Sequence, residues 1–425
     1  MITTYKPRIA DRLLSRKLAG KGAVLVEGAK WCGKTTTAEQ LAKSILYMSE
    51  TGKVAQNKQL AKINPAILLK GDKPRLIDEW QVAPALWDSI RFEADHSAQL
   101  GLFILTGSSV PADMSEVIHS GTGRIGWLRM RPMSLWESGD STGEVSLEQL
   151  FTTPQSISGS SSSDLEKIAF LTCRGGWPLA VNMDVEIALD QAFDYIDAVE
   201  KRDISLVDGV SRDAVRTHRL LRSYARHQGA QASYGTIKAD LYANESDTFN
   251  EDTIASYINA LKKIFVIEDS EAWNPNLRSK SAIRTSDTRY FTDPSIATAA
   301  LGLGPADLIN NLPTFGLIFE TLCVRDLRVY AEALNGKIYH FRDRNGLECD
   351  AVVHLRNGSY GLVEIKLGGD NLINEGADTL KELAGKIDTE RMKQPSFLMV
   401  LTAVGSYAYR REDGVYVVPI GCLKD

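Results

Sequence analysis

The sequence predicts an α/β protein with a parallel sheet near its amino terminus, a mainly helical middle and a second α/β segment at its carboxyl end. Short aliphatic runs alternate with helical patterns near the amino terminus, which is typical of a parallel sheet. Helical periodicity dominates the middle of the chain. Asn-Gly pairs, a strong hairpin signal, separate strand-like runs near the carboxyl terminus.

In the first segment, residues 23–27 (AVLVE), 76–77 and 102–105 (LFIL) are expected to be strands. Residues 34–46 are expected to form a helix, because apolar side chains recur there at helical spacing. Strands that alternate with helices in this way indicate a parallel sheet covered by helices.

The loop between the first strand and that helix carries a phosphate-binding pattern. Residues 28–35, GAKWCGKT, match GxxxxGK[ST] at every fixed position. Such a loop curls its N–H groups around a phosphate, while Lys34 reaches the β- and γ-phosphates and the Thr35 hydroxyl ligates Mg²⁺. The alternative is a glycine-rich turn without a ligand. The residues expected to bind ATP or ADP are Gly28, Ala29, Lys30, Trp31, Cys32, Gly33, Lys34, Thr35 and Thr36.

Polar residues end the next two expected strands. Asp78 is positioned to hold the phosphate-bound Mg²⁺ together with Thr35, and Glu79 to polarise an attacking water. Thr106 and Ser108 follow the third strand and are expected to contact the γ-phosphate or that water. The alternatives are an exposed strand end for the two acids and a plain turn for the two hydroxyls.

Arg124, in the run GTGR, is a candidate for the positive charge that stabilises the transition state of phosphoryl transfer. It would act in its own subunit or in a neighbouring one. The alternative is an ordinary solvated arginine.

The middle segment is expected to contain helices at residues 213–228, 236–241 and 253–265, then strands at 266–268 and 289–292. Three helices followed by a β-ribbon are the order of a winged helix. The first helix carries five arginines, which form either a solvated face or a patch that contacts nucleic-acid phosphates. They are Arg212, Arg216, Arg219, Arg222 and Arg226.

The last segment contains a second group of candidate residues. Glu364 and Lys366 are two positions apart on an expected strand, so both side chains point to one face, and Asp350 lies on the adjacent hairpin strand. Glu320, in the preceding helix, is a further carboxylate. Carboxylates on one face favour Mg²⁺, and a nearby lysine stabilises a hydroxide or a phosphate. The alternative is a structural salt-bridge cluster. The expected elements are a helix at 315–334, strands at 337–341, 349–354 and 360–367, a helix at 374–387, and strands at 397–401 and 415–418.

Composition limits the class of protein and its partners. The 425 residues include 44% hydrophobic and 24% charged residues, with a formal charge of −5. This charge excludes a uniformly basic nucleic-acid-binding protein but leaves room for a local basic patch. No apolar run is long enough to cross a membrane, and the first ten residues lack the apolar region of a secretory signal. Five scattered cysteines indicate free thiols in the cytoplasm rather than a zinc site.

The length suggests about three domains. The polar run at residues 155–164, QSISGSSSSD, cannot bury apolar area and is expected to be a loop or linker. A second break is expected near residues 303–313. We therefore expect domains at residues 1–155, 164–302 and 312–425.

On these residues, the chain resembles a prokaryotic family of AAA-type ATP-binding proteins that carry a C-terminal domain of unknown function. The resemblance implies an N-terminal P-loop NTPase (AAA-type) domain, a winged-helix middle domain and a C-terminal restriction-endonuclease-like domain. Glu320, Asp350, Glu364 and Lys366 correspond to motifs of that last domain, where Cys349 replaces the family's usual proline. Further matching runs are LIDEWQ (76–81), TGSS (106–109), the Gly123-Arg124 pair, GGWP (175–178) and YFTD (290–293).

The sequence therefore predicts an Mg²⁺-dependent ATPase whose hydrolysis drives or gates a nucleic-acid-associated module. In one form of this hypothesis, the terminal domain is a Mg²⁺ nuclease. The alternative is a signalling-type nucleotide switch with slow turnover, nucleotide-dependent homo-oligomerisation and a catalytically inactive terminal domain.

Overall fold

The computed structural model describes residues 5–110, 117, 119–245, 248–277 and 283–425. The first four residues of the expected amino-terminal domain therefore lie outside the described part. The chain forms two compact units. The first unit contains Met1–Pro132, Lys201–Asp213 and Tyr257–Val266, and the second contains Met133–Glu200, Ala214–Ser256 and Ile267–Asp425.

A five-stranded parallel sheet organises the first unit, in the strand order β2-β3-β4-β1-β5. This confirms the expected parallel α/β architecture of the amino-terminal segment. Strands β1 and β4 are central and largely buried. The elements are α1 (Ile9–Leu18), β1 (Ala23–Glu27), α2 (Lys34–Glu39), β2 (Ser44–Tyr47), α3 (Val54–Ile63), α4 (Pro65–Leu69), β3 (Arg75–Asp78), α5 (Leu86–His96), β4 (Phe103–Gly107) and β5 (Ile125–Arg129).

The register of this sheet decides which loops meet. Glu27, the last residue of β1, pairs with Gly107, the last residue of β4. Strand β3 lies beside β4 in the same direction and ends at Asp78. Because carboxyl ends of parallel strands share one edge of a sheet, the loops after β1, β3 and β4 all begin there.

The helix expected at residues 34–46 is wrong in its second half. Helix α2 ends at Glu39, and Ser44–Tyr47 form β2, which pairs with β3 at the edge of the sheet. Pairing with a neighbouring strand overrides the helical spacing of the apolar residues here. Strand β5 was likewise not among the expected strands.

Short elements and helices make up the middle of the chain. Their order agrees with the expected three helices, here α11, α12 and α13. The elements are α6 (Leu135–Ser138), β6 (Val145–Ser146), α7 (Leu147–Thr152), β7 (Gly159–Ser160), α8 (Leu165–Arg174), α9 (Val185–Ala198), α10 (Ile204–Leu206), α11 (Ala214–Arg226), α12 (Tyr234–Glu245), α13 (Glu251–Lys263), α14 (Pro294–Leu301) and α15 (Pro305–Asn310).

Two sequence-based expectations for this region need correction. The polar run at 155–164 is largely loop, as expected, but it is not a free linker, because it contains the short strand β7, which pairs with a strand near the carboxyl terminus. The ribbon expected at 266–268 and 289–292 consists of isolated antiparallel pairs, Ile267 with Phe291 and Ser270 with Thr288, rather than two continuous strands.

The carboxyl-terminal segment builds most of a seven-stranded mixed sheet, in the order β7-β12-β13-β11-β10-β9-β8. The hairpin strands and the helix that follows them are confirmed. Strands β12 and β14 were not expected. The elements are α16 (Leu312–Ala333), β8 (Gly336–Arg342), β9 (Glu348–Leu355), β10 (Tyr360–Lys366), α17 (Asp370–Lys386), β11 (Phe397–Thr402), β12 (Tyr407–Arg410), β13 (Tyr416–Pro419) and β14 (Leu423–Lys424).

In the described part of the chain, no helix combines the length and apolar character needed to cross a lipid bilayer.

Candidate nucleotide-binding site

The loop between β1 and α2 has the geometry that its glycines and lysine predict. Gly28 and Gly33 adopt φ values of 157° and 96°, and a Cβ at Gly28 would lie 2.0 Å from the Met130 carbonyl oxygen. Only glycine fits such a position. Lys34 is buried, and its Nζ donates to the Ala29 carbonyl at 2.8 Å. The ammonium group is therefore held within the loop.

An arginine near the amino terminus braces the same loop. The buried Arg8 guanidinium donates to the carbonyls of Cys32 and Arg131, each at 2.9 Å. Tyr5 OH lies 2.9 Å from Thr37 Oγ1 in α2. The sequence reasoning missed Arg8 and Tyr5, because their partners are 24 and 32 residues away and no local motif marks them.

The predicted magnesium-binding residues lie together. Thr35 Oγ1 donates to Asp78 Oδ1 at 2.6 Å, and Thr106 Oγ1 donates to the same oxygen at 2.7 Å. Asp78 is buried at the end of β3. A hydroxyl and a carboxylate are hard oxygen donors, which fit Mg²⁺. The Thr35 hydroxyl would ligate a bound Mg²⁺ directly, and the Asp78 carboxylate beside it would help to keep the ion in place.

Glu79, the predicted residue for activating water, is also at this edge of the sheet. Ser108 Oγ donates to Glu79 Oε2 at 3.0 Å, and the Glu79 backbone N–H donates to Thr106 Oγ1 at 3.2 Å. Glu79 adopts a left-handed φ of 58°. For a residue other than glycine this costs about 1–3 kcal/mol and is found most often at functional sites.

Gln81 is a neighbour of Glu79 that the sequence reasoning did not single out. Its Nε2 donates to Glu79 Oε2 and lies 3.3 Å from Ser108 Oγ. Gln81 stands two residues after Glu79, within the LIDEWQ run. This closeness in sequence is the signal that could have identified it as a neighbour of the acid.

The phosphate loop also contacts a distant part of the first unit. Lys30 Nζ lies 2.6 Å from Asp203 Oδ1, an ion pair that joins positions 173 residues apart. Asp203 ends a π-helical turn, Val199–Asp203, and such turns are rare and often lie at functional sites. The sequence reasoning placed Lys30 at the nucleotide but gave Asp203 no role.

Arg124 lies at the opposite end of the sheet, where the parallel strands β1 and β5 begin. Ile125, the next residue, pairs with Ala23 at the start of β1, whereas the phosphate loop follows the end of β1. Arg124 forms a hydrogen-bonded ion pair with Asp95, which lowers the pKa of that carboxyl. The structure does not bring Arg124 to the phosphate loop of its own chain. A role in stabilising the transition state would therefore have to be played at the nucleotide of a neighbouring subunit.

Intramolecular contacts engage Arg212, which lies just before α11, and Arg216, Arg222 and Arg226 along this helix. Arg212 pairs with Asp208, Arg222 with Glu245, and Arg226 with both Asp240 and Glu245. The Arg216 guanidinium lies 4.0 Å from the centre of the Phe249 ring. These contacts favour a structural role for the arginines over a patch that contacts phosphates.

The four residues of the predicted second metal site also lie together, in the second unit. Lys366 Nζ lies 2.7 Å from Glu364 Oε2 and 3.7 Å from Asp350 Oδ2. Asp350 Oδ2 accepts a hydrogen bond from the Ile365 backbone at 2.7 Å. Glu320 accepts a hydrogen bond from the buried Tyr290 hydroxyl.

The contacts within this cluster do not favour a magnesium ion. Among the residues that the structure describes, no three His, Cys, Asp or Glu side chains are arranged to hold a metal. Burial and the Asp350 carboxylate raise the pKa of Glu364 to about 8 and that of Glu320 well above its ordinary value. The Lys366 ammonium contacts the carboxylates that the ion would need. The arrangement favours the structural salt-bridge cluster.

Three family models match parts of the chain. An AAA domain matches residues 20–138. A domain of unknown function (DUF8612) matches residues 165–307, and another (DUF4143) matches residues 315–423. The AAA match covers the five-stranded sheet and the phosphate loop. Together with the loop geometry, it supports a P-loop ATPase domain of the AAA class.

The chain is similar to several solved structures at low identity and low TM-score. The Walker-type ATPase PABY2304 of Pyrococcus abyssi is 15% identical, with a TM-score of 0.42 over 71% of this chain and 99% of its own. The ORC2 protein of Aeropyrum pernix is 14% identical, with a TM-score of 0.30 over 64% and 90%. RuvB of Thermotoga maritima is 15% identical, with a TM-score of 0.27 over 62% and 86%. A comparison with curated proteins found no match.

Proposed function

We propose that this protein hydrolyses ATP at the phosphate loop, with Mg²⁺ as the metal cofactor. The observation that carries the proposal is the hydrogen-bonded set at the carboxyl edge of the sheet. There, Thr35 and Thr106 converge on Asp78, and Ser108 converges on Glu79. This set begins directly beside the loop that holds Lys34.

Each residue then has a distinct role. The backbone of residues 28–34 and the Lys34 ammonium bind the β- and γ-phosphates. Bound Mg²⁺ would supply charge neutralisation on those phosphates, with Thr35 and Asp78 holding it. Glu79 accepts a proton from the attacking water, and Ser108 orients the Glu79 carboxylate. Thr106 holds Asp78 and the Glu79 backbone in place.

The rest of the chain is proposed to respond to the nucleotide. Three helices followed by antiparallel pairs support a winged-helix assignment for the middle segment. A helix, a three-stranded meander, a helix and a further strand support a restriction-endonuclease-like fold for the last segment. Nucleic acid is therefore a proposed partner. The ion-paired cluster around Lys366 favours a terminal domain that binds without cutting.

Substitution of the proposed base tests the function. Glu79→Gln keeps the shape of the side chain but cannot take up the proton of the water. We expect the Kd for ATP to stay within about twofold of wild type, while kcat falls by about 10²–10⁴-fold, the usual contribution of a general base. Glu50→Gln, which changes an exposed acid of the same unit, is the matched control. Normal phosphate release by Glu79→Gln would refute the assignment.

A further inference from the structure

The side chain of Gln81 forms a hydrogen-bonded triangle with Glu79 and Ser108. Gln81 Nε2 donates to Glu79 Oε2, and Ser108 Oγ donates to the same oxygen at 3.0 Å. An ionised carboxylate only accepts hydrogen bonds, so the amide nitrogen must face Glu79. This contact fixes the orientation of the amide, so the atom that faces away from Glu79 is the oxygen, Oε1.

That oxygen lacks a hydrogen-bond partner in the described part of the chain, and it is buried. A buried acceptor left in this state destabilises the folded protein. A catalytic role or a bound water is among the recurring reasons why folded proteins keep such an atom.

The position of Gln81 Oε1 indicates which partner it would take. A Cβ at Gly107 would lie 3.2 Å from this oxygen, so the oxygen lies beside the last residue of β4. Gly107 pairs with Glu27, the residue before the phosphate loop. The acceptor is therefore at the edge of the sheet where the γ-phosphate of a bound nucleotide would meet Glu79.

We propose that Gln81 Oε1 and the Glu79 carboxylate together hold the water that attacks ATP. This inference rests on the proposed ATPase function. The water oxygen forms a bond to the γ-phosphorus, and the bond from that phosphorus to the β–γ bridging oxygen breaks. Its electron pair passes to ADP. One water proton passes to Glu79, while Gln81 Oε1 accepts a hydrogen bond from the other O–H and is unchanged.

Two acceptors fix the water better than one. A single carboxylate leaves the water free to rotate about one hydrogen bond, whereas a second acceptor points a lone pair of the water oxygen at the phosphorus. Loss of such positioning costs up to about 10²-fold in rate even when binding is intact. Gln81 and Glu79 should therefore act on one water as a unit.

The test compares Gln81→Met with wild type. Methionine keeps the length of the side chain but removes both the oxygen and the nitrogen of the amide. We expect the Kd for MgATP to stay within about twofold and single-turnover hydrolysis to fall about 10–100-fold. Gln99→Met changes an exposed glutamine of the same unit and is the matched control. Hydrolysis by folded Gln81→Met at the wild-type rate would overturn the inference.

A double variant tests whether the two residues share the water. Because both act on the same molecule, Glu79→Gln combined with Gln81→Met should be no slower than Glu79→Gln alone. If the hydrolysis rate of the double variant fell by the product of the two single fold-losses, the two residues would not act on a shared water. If Gln81→Met melts well below wild type, Gln81→Asn, which shortens the side chain by one carbon, replaces it with the same expectation. A wild-type protein that binds no ATP would instead refute the proposed function.

Discussion

Lys30 in the phosphate loop and Asp203, 173 residues later, form an ion pair with 2.6 Å between Nζ and Oδ1. The Lys30 side chain is 46% exposed, whereas that of Asp203 is 9% exposed. The lysine is thus accessible, while the carboxylate that holds it is fixed. A nucleotide phosphate would compete with this carboxylate for the lysine.

Removal of the Asp203 charge should strengthen nucleotide binding. In Asp203→Asn, Lys30 is released toward the phosphates, and a fixed negative charge beside the loop is lost. Partly exposed ion pairs contribute about 0.2–1 kcal/mol, so we expect the Kd for ATP to fall up to about fivefold. Isothermal calorimetry measures this change.

Two further variants give the control. Asp72→Asn alters an exposed acid of the same unit and should leave the Kd unchanged. Lys30→Ala should abolish the gain produced by Asp203→Asn, because the released lysine is its cause. A weaker affinity in Asp203→Asn would mean that the pair supports the bound state instead.

Which residues lie together beside the phosphate loop could be predicted from the sequence because the signals are local. A strand, a glycine loop and a helix follow one another, Asp78 ends β3, and Ser108 directly follows β4 in the same parallel sheet. Arg8 and Asp203 could not be predicted in this way. Each reaches the loop only through tertiary folding, from positions that carry no motif.

Arg124 should act on the nucleotide of a neighbouring subunit. Its position at the start of β5 separates it from its own phosphate loop. Arg124→Ala should therefore bind ATP normally but hydrolyse it slowly, since loss of such an arginine costs up to about 10³–10⁵-fold. Phosphate release is the measurement.

Mixing inactive variants tests this role directly. Lys34→Ala retains Arg124 but lacks the phosphate-binding lysine, whereas Arg124→Ala retains the lysine. An equal mixture should hydrolyse ATP faster than the sum of the two variants measured alone. Strict additivity, with subunits shown to associate, would exclude action between subunits.

The terminal domain should not cut DNA. Lys366 contacts both carboxylates that a metal ion would need, Asp350 and Glu364. Plasmid incubated with the protein and Mg²⁺ or Mn²⁺ should stay supercoiled, with ATP or ADP present. Nicking by wild type that Asp350→Ala abolishes would contradict the structural assignment.

The same cluster should make stability depend on pH. Burial and Asp350 raise the pKa of Glu364 from 4.5 to about 8, so the folded state holds a proton that the unfolded state releases between these values. Unfolding free energy must then decrease as pH rises through this window. Each kcal/mol by which the free energy of unfolding decreases lowers Tm by about 2–4 °C for a unit of this size.

Glu364→Gln is the matched variant for this measurement. The amide has the same shape but does not titrate, so the fall of Tm between pH 5 and pH 8 should be smaller than in wild type. If Tm changed equally with pH in the two proteins, Glu364 would be ionised throughout this range.

In the terminal segment, strand periodicity and Asn-Gly turns predicted the hairpins, and spacing placed Glu364, Lys366 and Asp350 on one face. Spacing could not decide between a metal site and an ion-paired cluster. That choice depends on burial and on where the Lys366 ammonium lies, and both are set by the packing of α16 and α17 on the sheet.

Calorimetric titration of MgATP into the full chain tests the central claim most directly. We expect a saturating isotherm for wild type. Lys34→Ala should abolish it, whereas Lys43→Ala, which changes an exposed lysine shortly after α2, should retain it. A folded wild-type protein that takes up no ATP, or a Lys34→Ala variant that binds it equally well, would contradict the account.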